Sequence, residues 1–138
     1  MHPANQVIEY ARSMLGVPYI YGGNNRLQGL DCSGFVCEVI RSFGLLRPGE
    51  DLSCQLLYDR YWKKIVQEPG PAHLLFFGKN KSKISHVALA LNQFRMIEAG
   101  GGDETCKDFH RAAILGAMVR ERPIGFRNDL VAIVNPWE

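Results

Sequence analysis

The sequence lacks a strong excess of charge, long apolar runs and the closely paired cysteines of a zinc site. The net charge over 138 residues is +2 and the basic residues are scattered, so no nucleic-acid partner is indicated. The apolar runs are much shorter than a membrane span, so we expect no membrane insertion. Residues 1–6 contain neither a basic nor an apolar signal region. We therefore expect synthesis in the cytoplasm without a secretory signal.

The cysteines also limit the possibilities. The four cysteines include no C-x-x-C pair, and the spacing of Cys32 and Cys37 is poor for zinc. A chain of this length can bury a core without disulfides, so we expect free thiols. With 46% hydrophobic and 22% charged residues, the composition is that of a globular protein. We predict a single domain spanning residues 1–138.

Hydrophobic periodicity predicts helices in the first half of the chain and strands in the second. Apolar stripes predict helices over 4–15, from Asp31 as N-cap to Phe43, and over 53–62. Alternating patterns predict strands at 73–78, 86–91, 94–99, 117–122 and 130–134. Strands that follow helices predict an α+β fold, with N-terminal helices packed on a central antiparallel sheet.

Cys32 and His86 have the positions of a nucleophile and its base. A thiol in the first turn of a helix is favoured as thiolate by the helix dipole and by unpaired N–H groups. His86 begins a predicted strand of small and apolar residues and could supply the imidazolium of an ion pair. Without that context, Cys32 would be read as a buried structural cysteine and His86 as an ordinary strand-end histidine.

Three runs together resemble the NlpC/P60 family of cell-wall cysteine peptidases. They are Tyr-Ile-Tyr-Gly-Gly at 19–23, Asp-Cys-Ser-Gly-Phe at 31–35, and the Ser-His-Val run that begins at 85. Their order and spacing match the family from about residue 5 to the C-terminus. The resemblance implies a papain-like hydrolase that cleaves peptidoglycan stem peptides, commonly at the bond between D-Glu and a diamino acid. It implies no metal or organic cofactor.

The resemblance also implies roles for individual residues. Cys32 attacks the carbonyl, and His86 takes and returns the proton. Tyr19 matches a tyrosine whose hydroxyl lies near the oxyanion, although a loop aromatic that fills the core is nearly as good an interpretation. The residues matching the family's substrate groove are Asp31, Ser33 and Ser85.

Glu98 is our candidate for the third catalytic residue. The family has a polar residue about twelve positions after the histidine, most often His and less often Asn or Gln. A hairpin whose paired numbers sum to 184, with the loop at 91–93, would set Glu98 opposite His86. A two-residue turn at 92–93 would place them on opposite faces. An exposed edge carboxylate is the alternative to a carboxylate that orients the imidazole.

The run Met-Ile-Glu-Ala-Gly-Gly-Gly at 96–102, with the missing signal, resembles variants carried by phages and prophages. This resemblance implies phage-type or other non-classical delivery to the cell wall, with phage tail or delivery proteins as partners. It also implies a mobile glycine loop beside the site. Two other functions stay open, a papain-like amidase or acyltransferase, and an inactive wall-binding or phage tail structural module.

Overall fold

The computed structural model describes residues 3–138, and Met1 and His2 of the predicted domain 1–138 lie outside the described residues. Within the described part, the α-helices are α1 (Ala4–Arg12), α2 (Cys32–Ser42), α3 (Cys54–Tyr61) and α4 (Phe109–Leu115). The strands are β1 (Asn24–Asn25), β2 (Gly29–Leu30), β3 (Ile65–Val66), β4 (Leu74–Gly78), β5 (Ile84–Ala90), β6 (Arg95–Gly100), β7 (Met118–Pro123) and β8 (Leu130–Val134).

Six strands form one antiparallel sheet in the order β3-β8-β4-β5-β6-β7, while β1 and β2 pair with each other in a small hairpin. Helix α2 packs on β5 and β6, and α3 packs on β5. The predicted α+β architecture, with helices on a central antiparallel sheet, is therefore confirmed. Because β5, β6 and β7 are neighbours, the sheet brings side chains from distant parts of the sequence into one row.

The main core lies between the helices and one face of the sheet. Val36 and Ile40 of α2 belong to the same buried apolar cluster as Leu89 of β5 and Ile97 of β6. Fully burying one such side chain contributes about 1.5–3 kcal/mol. This packing fixes α2 on the two strands, and with it the position of Cys32 at the start of the helix.

The predicted long strands correspond to β4–β8, with ends shifted by at most two residues. The prediction missed α4, although Asp108 caps it by accepting the Arg111 N–H at 2.8 Å and Gly116 ends it with a positive φ of 65°. This helix buries Ala112 alone among its seven residues, so no apolar stripe marks it. Across residues 3–138 no helix is long and apolar enough to cross a bilayer.

Candidate active site

Cys32 lies in the first turn of α2, as the sequence predicts. Asp31 caps this helix, because its Oδ1 accepts the Gly34 N–H at 2.7 Å. A side chain at Gly34 would overlap the carbonyl oxygen of Gly23, so this glycine lets the helix start approach the preceding loop. Cys32 is thereby held at a helix N-terminus with 9% of its surface exposed, and the helix dipole there favours a thiolate.

His86 of β5 and Glu98 of β6 are buried and contact each other. The distance from His86 Nε2 to Glu98 Oε1 is 2.8 Å. His86 and Cys32 line the same cavity, and Cys32 lies close enough to raise the pKa of His86. Because Glu98 engages Nε2, the ring nitrogen left for the Cys32 thiol is Nδ1. The imidazole can therefore serve the carboxylate through Nε2 and the thiol through Nδ1.

The hairpin register differs from the predicted one by two. Ala90 pairs with Met96, so the paired numbers sum to 186 rather than 184. The cause is the loop, in which Asn92 Oδ1 accepts the N–H groups of Phe94 and Arg95 at 2.8 and 2.9 Å. The loop therefore spans 92–94 instead of 91–93. The sum stays even, which keeps positions 86 and 98 on the same face, and the two side chains meet along a diagonal rather than directly opposite.

Arg120 of β7 extends this row of polar side chains. Its Nε donates to Glu98 Oε2 at 3.0 Å, and the pairing of β6 with β7 sets the two residues opposite each other. The guanidinium lies over the Phe126 ring, 5.6 Å from its centroid. The two carboxylate oxygens therefore have different partners, His86 on Oε1 and Arg120 on Oε2.

The charges of His86, Glu98 and Arg120 stabilise one another. Burial alone would lower the pKa of His86, but its interactions with Cys32 and Glu98 outweigh burial and raise the pKa to about 9. Burial also opposes ionisation of Glu98, yet the hydrogen bonds and charges of His86 and Arg120 lower its pKa. At neutral pH the row therefore holds an imidazolium beside a carboxylate. That imidazolium is the counter-ion that a thiolate at Cys32 needs.

Cys54, the first residue of α3, lies beside Cys32. The two sulfur atoms are 3.8 Å apart, and either can donate the hydrogen bond. If Cys32 donates, this bond and burial raise the pKa of Cys32, while the bond lowers the pKa of Cys54. His86 acts in the opposite direction and lowers the pKa of Cys32. Because the His86 imidazolium favours an anion at Cys32 and lines the same cavity, we assign the thiolate to Cys32 and the S–H donor to Cys54.

The row opens into a cavity of about 160 Å³, whose lining includes Tyr19, Cys32, Ser85, His86, Glu98 and Arg120. The ring of Tyr19 packs on Gly102, where a side chain would overlap it. Burial, and next the nearby Cys32, raise the pKa of Tyr19. Its hydroxyl therefore stays protonated and is able to donate a hydrogen bond in the cavity.

The predicted substrate-binding residues separate into two places. Ser85 lines the cavity, whereas Asp31 and Ser33 serve the start of α2, with Ser33 Oγ donating to Asp31 Oδ1 at 3.3 Å. Their part in substrate binding stays a prediction. Within the described range 3–138, no three His, Cys, Asp or Glu side chains are arranged to hold a metal ion.

Gly100 has a steric role that the sequence did not reveal. It is the last residue of β6 and is buried, so the prediction of a mobile glycine loop is wrong at this position. A Cβ at Gly100 would lie 2.6 Å from Glu98 Oε2 and 3.1 Å from Arg120 Nη2. The missing side chain leaves the room in which the carboxylate and the guanidinium pair.

Comparison with known proteins identifies the family. The sequence matches the NlpC/P60 family over residues 16–122, which is most of the chain. The chain belongs to the NlpC/P60 family. This assignment agrees with the α+β sheet and with the placement of a cysteine, a histidine and a polar third residue around one cavity.

Individual relatives of this NlpC/P60 domain share modest identity with it. The gamma-DL-glutamyl hydrolase of Bacillus subtilis (strain 168) is 29% identical over 100 residues, covering 71% of this chain and 24% of that protein. The gamma-D-glutamyl-L-lysine dipeptidyl-peptidase of Bacillus cereus (strain ATCC 10987 / NRS 248) is 29% identical over 98 residues, covering 70% and 28%. The chain thus spans about a quarter of the length of these curated relatives.

A solved structure shares the fold. The crystal structure of an NlpC/P60 family protein from Bacillus cereus ATCC 10987 superposes with a TM-score of 0.76 at 22% identity, covering 98% of this chain and 40% of that one. The similarity extends over nearly the whole described chain, so the NlpC/P60 fold includes the α4 and β8 regions that lie near or beyond the end of the sequence match.

Sequence reasoning missed two polar neighbours of the NlpC/P60 site, Arg120 and Cys54. A sequence signal for Arg120 exists, because it alternates with Arg122 on a predicted strand where apolar residues would be usual. Cys54 directly follows the predicted cap Ser53, so its position at a helix N-terminus was readable. Neither signal indicates which side chain each residue meets.

Proposed function

We propose that this NlpC/P60 domain is a cysteine peptidase that hydrolyses peptidoglycan stem peptides at the bond between D-Glu and a diamino acid. The observation that carries the proposal is the buried row of Cys32, His86 and Glu98, which opens into one cavity. The choice of bond is supported by two relatives, whose names both specify a gamma-glutamyl bond.

In the proposed first step, the Cys32 thiolate attacks the carbonyl carbon of the scissile peptide bond. Negative charge develops on the carbonyl oxygen, and the Tyr19 hydroxyl and the Cys32 backbone N–H are the donors we assign to it. The His86 imidazolium gives its proton to the leaving amine, and the C–N bond breaks. The products of this step are the free amine and a thioester on Cys32.

In the second step, water attacks the thioester. His86, now neutral, accepts a proton from the water, and the Cys32 sulfur leaves as a thiolate beside the re-formed imidazolium. Glu98 keeps the ring in one tautomer and supports its positive charge in both steps. No step requires a metal ion or an organic cofactor.

Purified muropeptides of defined stem composition provide the test. We expect mass spectrometry to show a stem cut between D-Glu and the diamino acid, with no cut by Cys32→Ala under the same conditions. Release of a different acyl group, or its transfer to an added amine, would identify the amidase or acyltransferase alternative instead. Tight binding of muropeptide without any product would indicate a wall-binding module.

The route to the cell wall is a separate part of the proposal. From the sequence resemblance of residues 96–102 to phage and prophage variants, we propose phage-type or other non-classical delivery, with tail or delivery proteins as partners. Fractionation of cells or of phage particles that contain the protein, followed by immunodetection, tests this route. Recovery in the cell envelope through an ordinary secretion pathway would contradict it.

A further inference from the structure

Arg120 binds the oxygen of Glu98 that His86 does not use. Its Nε lies 3.0 Å from Oε2, while His86 Nε2 lies 2.8 Å from Oε1. Glu98 is 2% exposed, so water is poorly able to replace a lost partner. A carboxylate held at one oxygen can still rotate about its side-chain bonds. Held at both oxygens, it has one orientation.

The surroundings of Arg120 fix the guanidinium in turn. A Cβ at Gly100 would lie 3.1 Å from Nη2 and a Cβ at Gly101 would lie 3.0 Å from Nη1, so the guanidinium lies against bare backbone. Its charge also faces the Phe126 ring at 5.6 Å. The planar guanidinium thus packs against the backbone of two glycines and an aromatic ring, which restrict its orientation.

We propose that Arg120 is a positioning residue, which holds Glu98 Oε2 so that Oε1 faces His86 and the thiolate–imidazolium pair with Cys32 is stabilised. This inference rests on the mechanism of the proposed function. It does not depend on the identity of the substrate, because the ion pair exists before substrate binds.

Arg122 offers a matched control within the same strand. It lies two residues along β7, and its guanidinium is also 5.6 Å from the centroid of the Phe126 ring. Its Nη1, however, donates to the Glu121 backbone carbonyl at 3.2 Å rather than to the carboxylate in the site. A general effect of removing an arginine from β7 would therefore appear in both variants.

The first experiment measures how fast iodoacetamide alkylates Cys32 at neutral pH, with the labelled cysteine located by mass spectrometry. We expect Arg120→Ala to slow alkylation about tenfold, the typical effect of losing a hydrogen bond to a charged group. Arg120→Lys should recover part of the rate because it keeps the charge. Arg122→Ala should react like the wild type. Arg120→Gln, which is closer in volume to arginine, carries the same test if the alanine variant does not fold.

A double-mutant cycle decides whether Arg120 acts through Glu98. In a Glu98→Ala background, Arg120→Ala should cause no further loss of alkylation rate, because the group that it positions is gone. If the two losses multiply instead, or if Arg122→Ala is as slow as Arg120→Ala, the positioning role is wrong.

Muropeptide kinetics separate this inference from the proposed function. We expect Arg120→Ala to lower kcat while KM stays near the wild-type value, since Arg120 acts on the ion pair. Should the wild type cleave no muropeptide while the alkylation cycle still shows coupling, the proposed substrate is wrong and the positioning role stands. If the muropeptide is cleaved and the coupling is absent, the positioning role is wrong and the proposed substrate stands.

The cysteine pair carries a second inference independently. Cys32 and Cys54 are the first residues of α2 and α3, and their sulfur atoms lie 3.8 Å apart. A disulfide requires about 2.0 Å, so a side-chain movement of roughly 1.8 Å would join them. The other cysteines are engaged elsewhere, Cys37 with the Leu52 backbone and Cys106 with the Tyr19 carbonyl.

We infer that Cys54 is a resolving cysteine, which converts oxidised Cys32 into a reversible disulfide. The Cys32 thiolate attacks the terminal oxygen of a hydroperoxide and takes its OH group as the O–O bond breaks, and the other oxygen accepts the proton of the His86 imidazolium and leaves as an alcohol or water. The Cys54 sulfur then attacks the sulfenic sulfur, the S–O bond breaks, and water leaves with the Cys54 proton. An external dithiol restores both thiols by exchange.

Treatment of the purified protein with hydrogen peroxide tests this inference. We expect mass mapping without reductant to show a Cys32–Cys54 disulfide, and dithiothreitol to restore alkylation of Cys32. In Cys54→Ser, Cys32 should proceed to the sulfinic acid, which dithiothreitol does not reverse. Cys37→Ser should behave like the wild type. Irreversible oxidation of Cys32 at the same rate with and without Cys54, or a disulfide to Cys37 or Cys106, would overturn the inference.

Discussion

The strand side and the helix side of the active site are built from different chemistry. The strand side comprises His86, Glu98 and Arg120 on three adjacent strands, joined by short hydrogen bonds between charged groups. The helix side comprises Cys32 and Cys54 at two helix N-termini, joined by a 3.8 Å sulfur contact. Charged hydrogen bonds are much stronger than those of sulfur. The strand side therefore sets the geometry, while the helix side provides the reactive atom.

The difference between the two sides predicts which substitutions reduce activity most. A change on the strand side leaves a buried charge without its partner and disturbs the neighbouring groups as well. A change on the helix side either removes the reacting sulfur or alters a weak contact beside it. On the helix side, the loss of activity should accordingly be very large for substitutions of Cys32 and small for substitutions of Cys54. Substitutions on the strand side should have effects between these two.

The largest expected effect is at Cys32. Cys32→Ala should lower kcat for muropeptide cleavage by about 10⁴ or more, and Cys32→Ser nearly as much, because a hydroxyl is not ionised at neutral pH. Thermal unfolding should show a folded protein in both cases, since the thiol contributes little to the core. Substantial activity in Cys32→Ala, or fastest alkylation at another cysteine, would mean that the nucleophile is assigned wrongly.

Glu98 should have the next largest effect. Glu98→Ala should lower kcat roughly 10–10³-fold, which is less than the loss of a triad orienter elsewhere because the thiolate is already paired. Glu98→Gln keeps a hydrogen bond but removes the negative charge, and should cost less.

The pH profile gives the sharper measurement at Glu98. The pKa of His86, raised to about 9, sets the alkaline limit, and wild-type activity should fall as pH rises through that value because the leaving amine then lacks its proton donor. Removing the charge of Glu98 lowers the pKa of the histidine, so this limit should move toward neutral pH in Glu98→Gln. An unchanged limit would show that the carboxylate does not support the imidazolium.

How far the sequence predicts this strand side depends on the length of the connections. Parity along one short hairpin was enough to place His86 and Glu98 on the same face, although the Asn92 turn shifted the register by two. Arg120 lies beyond the connection 101–117, which includes the unpredicted α4. No rule of turn geometry fixes a register across such a connection, so the pairing of Glu98 with Arg120 was beyond sequence reasoning.

The helix side shows the same division between local and distant structure. The cap at Asp31 and the start of α2 at Cys32 follow from residues within four positions of each other. The contact between Cys32 and Cys54 depends instead on how α2 and α3 pack on the sheet. Such packing cannot be predicted from the sequence of either helix alone.

Gly100 offers a smaller, purely steric perturbation of the strand side. Gly100→Ala would put a Cβ 2.6 Å from Glu98 Oε2, so the carboxylate must move. We expect kcat to fall roughly 10–100-fold, the usual cost of a displacement near 1 Å at a catalytic group. Gly125→Ala is the control, because a Cβ there meets nothing within 4 Å. Equal activity of the two variants would mean that the position of Glu98 is not critical.

The smallest expected effect lies on the helix side, at Cys54. Under reducing conditions Cys54→Ala removes the S–H donor to the Cys32 thiolate and should lower kcat about two- to fivefold, in keeping with one weak hydrogen bond. Cys54→Ser keeps a donor and should lose less, and Cys37→Ser should match the wild type. The comparison is made on kcat at neutral pH with dithiothreitol present. A loss at Cys54→Ala as large as that of Glu98→Ala would show that the sulfur contact fixes the site as firmly as the charged row does, and the contrast between the two sides would no longer hold.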